Sequence, residues 1–569
     1  MTGNTLESGP HERLIEQIDA IFAPWNRSDR PGYVVGVAYR GDVLYRKGLG
    51  MANLALGLAN TAATRMRIGS VSKHFTCLCA FLLEEEGKLD VSAPARRYLP
   101  ELAPQPASGE PTVLQLMQHT SGLRDTIGLG LLGSGLGAQQ GADMPLARAR
   151  AQRGVNFAAG ERLMYNNGAY HLLSLIVERA AGMPFETFLA QRIFEPLGMR
   201  DTASYPDDDA QHAGVATLHL PLATGGYARC AFPSRRILGE GAIVSTVDDM
   251  LRWLAHLRSD KRVGSAHTWQ RMLAAPQFAG GEVSPYAAGL IVNRYRGVDV
   301  IQHSGGVIGG ACQMLTVPAH ALDIVYMTNA AAGLDMLELC NRVIDAVLGD
   351  AELGAPPRVP ERGEAWPGLA GWYASEDNKD IYEITEFGEM LNLREMDGPP
   401  APLFVTDGAN GKRLAIEPSV FGSFAFDVPG PANDVAELHA SLCGRSLQLK
   451  RVRAQASDIE SCLAALAGCF VSEEMGAIAT IRREGDAWRL DMQVSDGHAS
   501  YTLEALAGRI VRFTPATPLT PLSGLLVLDP YESSVPRFWL GNYNNRRVEF
   551  VRAAHAEGAQ AIAALLEMR

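Results

Sequence analysis

Ser70-Val71-Ser72-Lys73 is the only Ser-x-x-Lys in the chain. Ile68-Gly69 precedes it, and an apolar-periodic run from Lys73 to Gly87 follows, which predicts a buried helix. A serine at the start of that helix meets unpaired backbone N–H groups and the positive end of the helix dipole, which favour developing negative charge. Three residues on is the same helix face, so the Lys73 amine can reach the Ser70 hydroxyl. A desolvated lysine loses its charge and acts as a base near neutral pH. The pair is therefore read as nucleophile and base.

Two further segments complete the constellation. Tyr165-Asn166-Asn167 is a Tyr-x-Asn, whose tyrosine can relay a proton between nucleophile and leaving group and whose Asn167 amide can hold an acyl-side carbonyl. His303-Ser304-Gly305 lies between strand-like Val298–Gln302 and Ala311–Val317. A strand edge ending in Gly305 and Gly306 opens backbone N–H groups to an oxyanion, with the Ser70 and Gly306 N–H as the expected donors. Each motif has a competitor. Tyr543-Asn544-Asn545 is set aside because it falls near the end of the last domain, and His212-Ala213-Gly214 because Asp207-Asp208-Asp209 beside it reads as a solvated loop.

The elements that must position these residues follow from pattern. Two apolar runs around Arg40-Gly41-Asp42 predict a hairpin over residues 32–53. Helices are predicted at 112–118, at 165–182 with Ala181-Gly182 and Pro184 as the stop, and at 246–258. Residues 286–330 turn to short apolar runs broken by glycines, read as strands. The expectation is an α+β catalytic domain over residues 1–353. Proline-rich 354–367 reads as a linker. Beyond it helical periodicity nearly vanishes, and Leu369-Ala370-Gly371-Trp372-Tyr373 recurs as Leu466-Ala467-Gly468-Cys469-Phe470, 97 residues later. Two copies are too few for a solenoid. Two closed antiparallel β-barrels, over 368–458 and 459–569, leave no open edges and are the expected form.

Composition narrows the function classes. At 569 residues one core is insufficient, and about two to four domains are expected. A formal net charge of -12 argues against a nucleic-acid partner. No apolar stretch is long enough to span a membrane, and Met1 to Arg13 lacks the pattern of a secretory signal. The eight cysteines are scattered without metal-ligand spacing. The expectation is a cytoplasmic protein with reduced thiols, no membrane partner, no metal and no other cofactor.

The order Ser-x-x-Lys, Tyr-x-Asn, His-x-Gly resembles the serine β-lactamase and penicillin-binding-protein superfamily. His119-Thr120-Ser121-Gly122-Leu123, Glu195-Pro196-Leu197-Gly198-Met199 and Gly241-Ala242-Ile243-Val244-Ser245-Thr246 resemble segments of its class C-like branch. Residues 68–77 are similar to the nucleophile segment of the D-stereospecific aminopeptidase family. That resemblance implies an acyl-enzyme hydrolase acting on small peptides, amides or esters of D-amino acids, two lipocalin-like barrels, a homodimer, and β-lactams as inhibitors. It also implies a loop of the second barrel that enters the cleft and carries an acid for the substrate amine. The segment aligned with that loop is Phe513, Thr514, Pro515, Ala516, Thr517, Pro518, Leu519, Thr520, Pro521, Leu522, Ser523 and Gly524, which holds no acid, so either Asp529 or Glu532 supplies one, or another domain does, or the substrate is not a free-amine peptide. Where relatives carry a strand lysine, His303 bears little charge near pH 7 and should attract substrate carboxylates less. An esterase, a D-amino-acid amidase or a β-lactamase-like hydrolase on the same scaffold stay open, as does a non-catalytic penicillin-binding sensor.

Overall fold

A computed structural model describes residues 10–553 except 106, 137–138, 223, 233, 260, 279–280, 331–335, 358–367, 388–389, 409–410, 417–423, 430–434, 454–462, 508, 518–521 and 529–535. Most of the linker segment and Asp529 and Glu532 therefore lie outside the described residues.

The catalytic domain is built on one antiparallel sheet. Its strands are β1 (Tyr33–Tyr39), β2 (Asp42–Leu49), β3 (Ile291–Tyr295), β4 (Val298–Val307), β5 (Gly310–Val317) and β6 (Leu322–Thr328), in spatial order β3-β4-β5-β6-β1-β2. The β1–β2 hairpin turns at Arg40 and Gly41, both with positive φ. Along β1, Val34 joins the core on one face, whereas Tyr33, Val35 and Val37 join the core on the other, the period of two that a sheet covered on both sides requires. Helices α1 (Pro10–Phe22) and α6 (Met336–Leu348) cover the second face. Between them in sequence come α2 (Ser72–Glu85), α3 (Thr126–Ser134), α4 (Asn167–Ala181) and α5 (Val247–Arg258). Every residue of α2 from Ser72 to Leu83 is buried, which makes it the central helix of the helical half. Helix α4 ends on Gly182 in the left-handed conformation, and Thr246 caps α5, as their sequences predict.

Two closed eight-stranded antiparallel barrels follow, over Gly371–Val452 and Gly468–Arg552. The repeated segments open each barrel, and the strands Arg445–Val452 and Asn545–Arg552 close it. Arg451 lies over the Tyr373 ring and Arg552 over the Phe470 ring, each guanidinium also holding carbonyls just before its glycine. The barrels pack on one another through Ala374, Ile381 and Met396 against Ile510, Leu525 and Val527.

Helix α3 ties the catalytic domain to the second barrel. Leu129 and Leu132 share a core with Phe470, Tyr501 and Phe513, and the Tyr501 hydroxyl donates to Leu132 O at 2.8 Å. Buried ion pairs reinforce the domain junctions, Arg124 with Glu474 of the second barrel and Arg162 with Asp380 of the first. Removing one partner of such a pair strands a buried charge, so these contacts fix the docking geometry more than they add stability. Among the described residues, no helix is long and apolar enough to cross a membrane.

Candidate active site

Ser70 sits in a single 3-10 turn, Gly69–Val71, that runs directly into α2. The Lys73 amine stands 2.9 Å from Ser70 Oγ, 2.8 Å from Asn167 Oδ1 and 2.9 Å from Glu240 O. The last two can only accept. A neutral amine has two N–H bonds for them and one lone pair, which is left for the Ser70 hydroxyl proton. Burial pushes the Lys73 amine down to about 7, against the smaller opposing pull of Glu240 and Asp125. The Tyr165 ring lies 4.8 Å from the Lys73 amine, and its phenol, raised above the ordinary value by burial, is hydrogen-bonded with Ser70. Ser70, Lys73, Tyr165 and Asn167 are thus one cluster. With Asn167 Oδ1 held by Lys73, its NH2 group is what the cleft can use.

Strand β4 approaches this cluster closely enough to dictate its glycines. A Cβ at Gly305 would fall 1.9 Å from Ile68 O and 3.0 Å from Ser70 N, so no side chain fits. Gly306 is different, exposed and with nothing within 4 Å of a Cβ position. A Cβ at Gly69 would in turn fall 3.0 Å from Gly306 N, so the Gly306 backbone also lies against the Ser70 turn. His303 is buried, and burial together with the nearby Lys73 pushes its imidazole down to about 3. It is neutral across the physiological range and offers no charge to a substrate carboxylate.

A cavity of about 810 Å³ opens at Tyr165, His303 and Ser304. Its far wall comes from the barrels: Glu395, Pro402 and Phe424 of the first, Tyr543 and Asn544 of the second. Glu338, in the first turn of α6, also lines it. Glu395 Oε1 is engaged by Arg162 and Arg546.

Among the described residues, the second barrel contributes Tyr543 and Asn544 to this cleft. Phe513 is buried in the barrel core, Thr514 and Pro515 pair with Thr502 and Tyr501, and Ala516 N–H donates to Ser500 O. Leu522 packs against the same core, Ser523 Oγ donates to Asp397 O of the first barrel, and Gly524 opens the next strand. Pro518, Leu519, Thr520 and Pro521 lie outside the described residues. Phe513 and Leu522 are barrel-interior residues and anchor the described ends of this segment in the barrel. The turn Asn542–Asn545, in the segment set aside above, reaches the catalytic domain. Asn545 Oδ1 accepts from Asp125 N, and Asn544 O accepts from Asn156 Nδ2. Tyr543 lines the cavity.

Four other contributors were not singled out as site residues from sequence: Glu240, Asp125, His119 and Tyr286. Glu240, flanked by Gly239 and Gly241, offers its carbonyl to Lys73. Asp125 caps α3 and accepts the Gly168 N–H at 2.8 Å, just past Asn167. Among the described residues no group of three or more His, Cys, Asp or Glu side chains could hold a metal ion.

With this fold and cluster in view, the chain belongs to the Beta-lactamase family, whose model matches residues 12–349. It is 30% identical over 384 residues to the D-aminopeptidase of Brucella ovis, covering 65% of this chain and 66% of that one. The D-aminopeptidase of Brucella anthropi is 29% identical over 314 residues, 53% and 57% of the two chains. The chain thus matches just under two thirds of the length of the first of these relatives. Among solved structures, the octameric penicillin-binding protein homologue from Pyrococcus abyssi shares the fold at a TM-score of 0.54 and 23% identity, covering 78% of this chain and all of that one. The D-amino acid amidase from Ochrobactrum anthropi SV3 does so at 0.51 and 23%, covering 59% and 99%.

Proposed function

We propose that the chain is a serine hydrolase that releases N-terminal D-amino acids from short peptides, amides or esters through an acyl-enzyme on Ser70. The observation that carries the chemistry is the set of partners around Lys73. Two acceptors take the N–H bonds of a neutral amine, and the lone pair faces the nucleophile's proton. Lys73 removes that proton as Ser70 Oγ attacks the carbonyl, and the Ser70 and Gly306 N–H groups receive the oxyanion. Tyr165 passes the proton to the departing amine. Water then attacks the ester by the reverse route, returning the proton to Ser70 and freeing the amino acid.

The D-aminoacyl substrate class is supported by the similarity to D-aminopeptidases and by the cavity. A neutral His303 gives no anchor for a carboxylate, and Tyr543 and Asn544 limit the acyl group to a short one. Two carboxylates line the wall. They are Glu395, which Arg162 and Arg546 engage, and Glu338. β-Lactams enter this reading as poor substrates or inhibitors, a homodimer as its assembly, and the cytoplasm as its location. Parallel assays with D- and L-aminoacyl p-nitroanilides, the matching amides, a short-chain p-nitrophenyl ester and nitrocefin test it. Hydrolysis of the D-anilide well above all the others is expected. Nitrocefin or the plain ester as the best substrate would refute the aminopeptidase reading.

A further inference from the structure

His119 lies in a buried run that the catalytic steps above do not use, yet it holds the segment carrying Tyr165 at two points. Its carbonyl accepts from Met164 N at 2.9 Å, and its Nδ1 faces Asn166 N at 3.1 Å. Its ring lies 4.2 Å from that of Tyr165, centroid to centroid. Its backbone has φ +57°, a conformation costly for a residue with a Cβ and commonly kept at functional sites. The other ring nitrogen, Nε2, lies 3.1 Å from the Tyr286 hydroxyl. That hydroxyl is in turn 3.1 Å from His303 Nε2, and His303 Nδ1 is 2.5 Å from Ser304 O.

The two ends of this series fix every proton in it. A backbone N–H can only donate, so His119 Nδ1 accepts and a neutral His119 carries its proton on Nε2. A carbonyl can only accept, so His303 carries its proton on Nδ1 and its bare Nε2 needs a donor. The Tyr286 hydroxyl therefore accepts from His119 and donates to His303. The other titratable groups facing the series are the Tyr170 hydroxyl, which donates to Met117 O and is hydrogen-bonded with Tyr286, the Lys73 amine, Tyr165, Cys77 and His74. Protonating His119 would set donor against donor at Asn166 N–H, protonating His303 would do so at Tyr286, and either would place a cation beside Lys73.

We propose that Asn166 N–H, His119, Tyr286, His303 and Ser304 O form a one-way hydrogen-bond chain that holds the Tyr165–Asn167 segment in register with the oxyanion strand. His119 and Tyr286 are positioning residues, and His303 is a neutral link rather than a base or a substrate anchor. The catalytic consequence rests on the serine-hydrolase reading, but the chain itself can be tested without substrate.

Nitrogen-15 NMR of histidine-labelled protein, with His119→Asn and His303→Asn used to assign the rings, should show His119 protonated on Nε2 and His303 on Nδ1, both neutral from pH 5 to 8. Tyr286→Phe removes only the hydroxyl. It should lower kcat about ten-fold or more while KM changes less than about two-fold, since the loss is one of register rather than of binding. His119→Asn keeps an acceptor for Asn166 N–H but cannot reach Tyr286, and should lose a similar factor. The double variant should be no worse than either single one, because both cut the same chain. His303 protonated on Nε2 in the wild type, or multiplicative losses in the double variant, would overturn the proposal even if either variant folds poorly. An enzyme inactive on every D-aminoacyl substrate would instead refute the functional reading and leave the tautomers to decide the chain.

Discussion

Asp125 N–H donates to Asn545 Oδ1 across 2.9 Å, a bond from the catalytic domain to the last turn of the second barrel. The Asp125 carboxylate accepts from Gly168 N at 2.8 Å, so the barrel turn is two bonds away from Asn167. Asn545 is fully buried, and its NH2 group also reaches Asp125 O. Asn545→Ala leaves buried groups unpaired, a cost of about 1–3 kcal/mol. The expected outcome is a lower thermal midpoint and a several-fold drop in kcat, read by calorimetry and steady-state kinetics on the same preparation. An unchanged kcat would mean that the barrel contact stabilises without positioning.

Lys73 gives a pH signature. With its amine held down to about 7, the neutral base forms as pH rises through that value, and kcat/KM should rise with it. Lys73→Arg should lose about three orders of magnitude, as fully as Lys73→Ala, because a guanidinium keeps its proton. Stability moves in a related way. The unfolded amine, near 10.5, holds its proton more tightly than the folded one, so the cost of burying it is fully present below about pH 7 and fades as pH rises towards 10.5. Lys73→Met should therefore raise the melting temperature at pH 7, with the gain shrinking by pH 10. Melting curves across that range check the sign.

Gly305 and Gly306 are neighbours with opposite tolerance. Gly305→Ala drives a methyl into Ile68 O and should abolish acylation and lower stability. Gly306→Ala meets open space and should fold normally with measurable activity. Circular dichroism melts and acylation by a reactive ester on both variants test this. Equal tolerance would mean that β4 does not press on the nucleophile turn.

Tyr543 walls the cavity where a larger acyl group would lie. Tyr543→Ala should speed acylation by a fluorescent penicillin and weaken discrimination for short acyl groups, with little effect on melting because the ring is partly exposed. Unchanged acylation rates would place the acyl group elsewhere in the cleft.

The catalytic cluster was legible because its spacing is local. Ser70 and Lys73 share a helix turn, and the glycines of β4 announce a close backbone approach. The 97-residue repeat gave the two barrels for the same reason, since each copy carries its own strand pattern. Contacts between domains leave no such mark. Nothing in Tyr543-Asn544-Asn545 says that a distant Asp125 awaits it. Glu240 acts through its carbonyl, which every residue has. His119 was visible in a motif, but its role depends on Tyr286, which lies 167 residues away.

Intact-protein mass spectrometry on samples quenched within the first turnovers of a D-aminoacyl ester bears most directly on the serine mechanism. The expected result is a single adduct of the acyl mass, mapped by peptide digestion to Ser70, formed far faster from the D than from the L ester and absent in Ser70→Ala. Turnover by Ser70→Ala, or an adduct on any other residue, would contradict it.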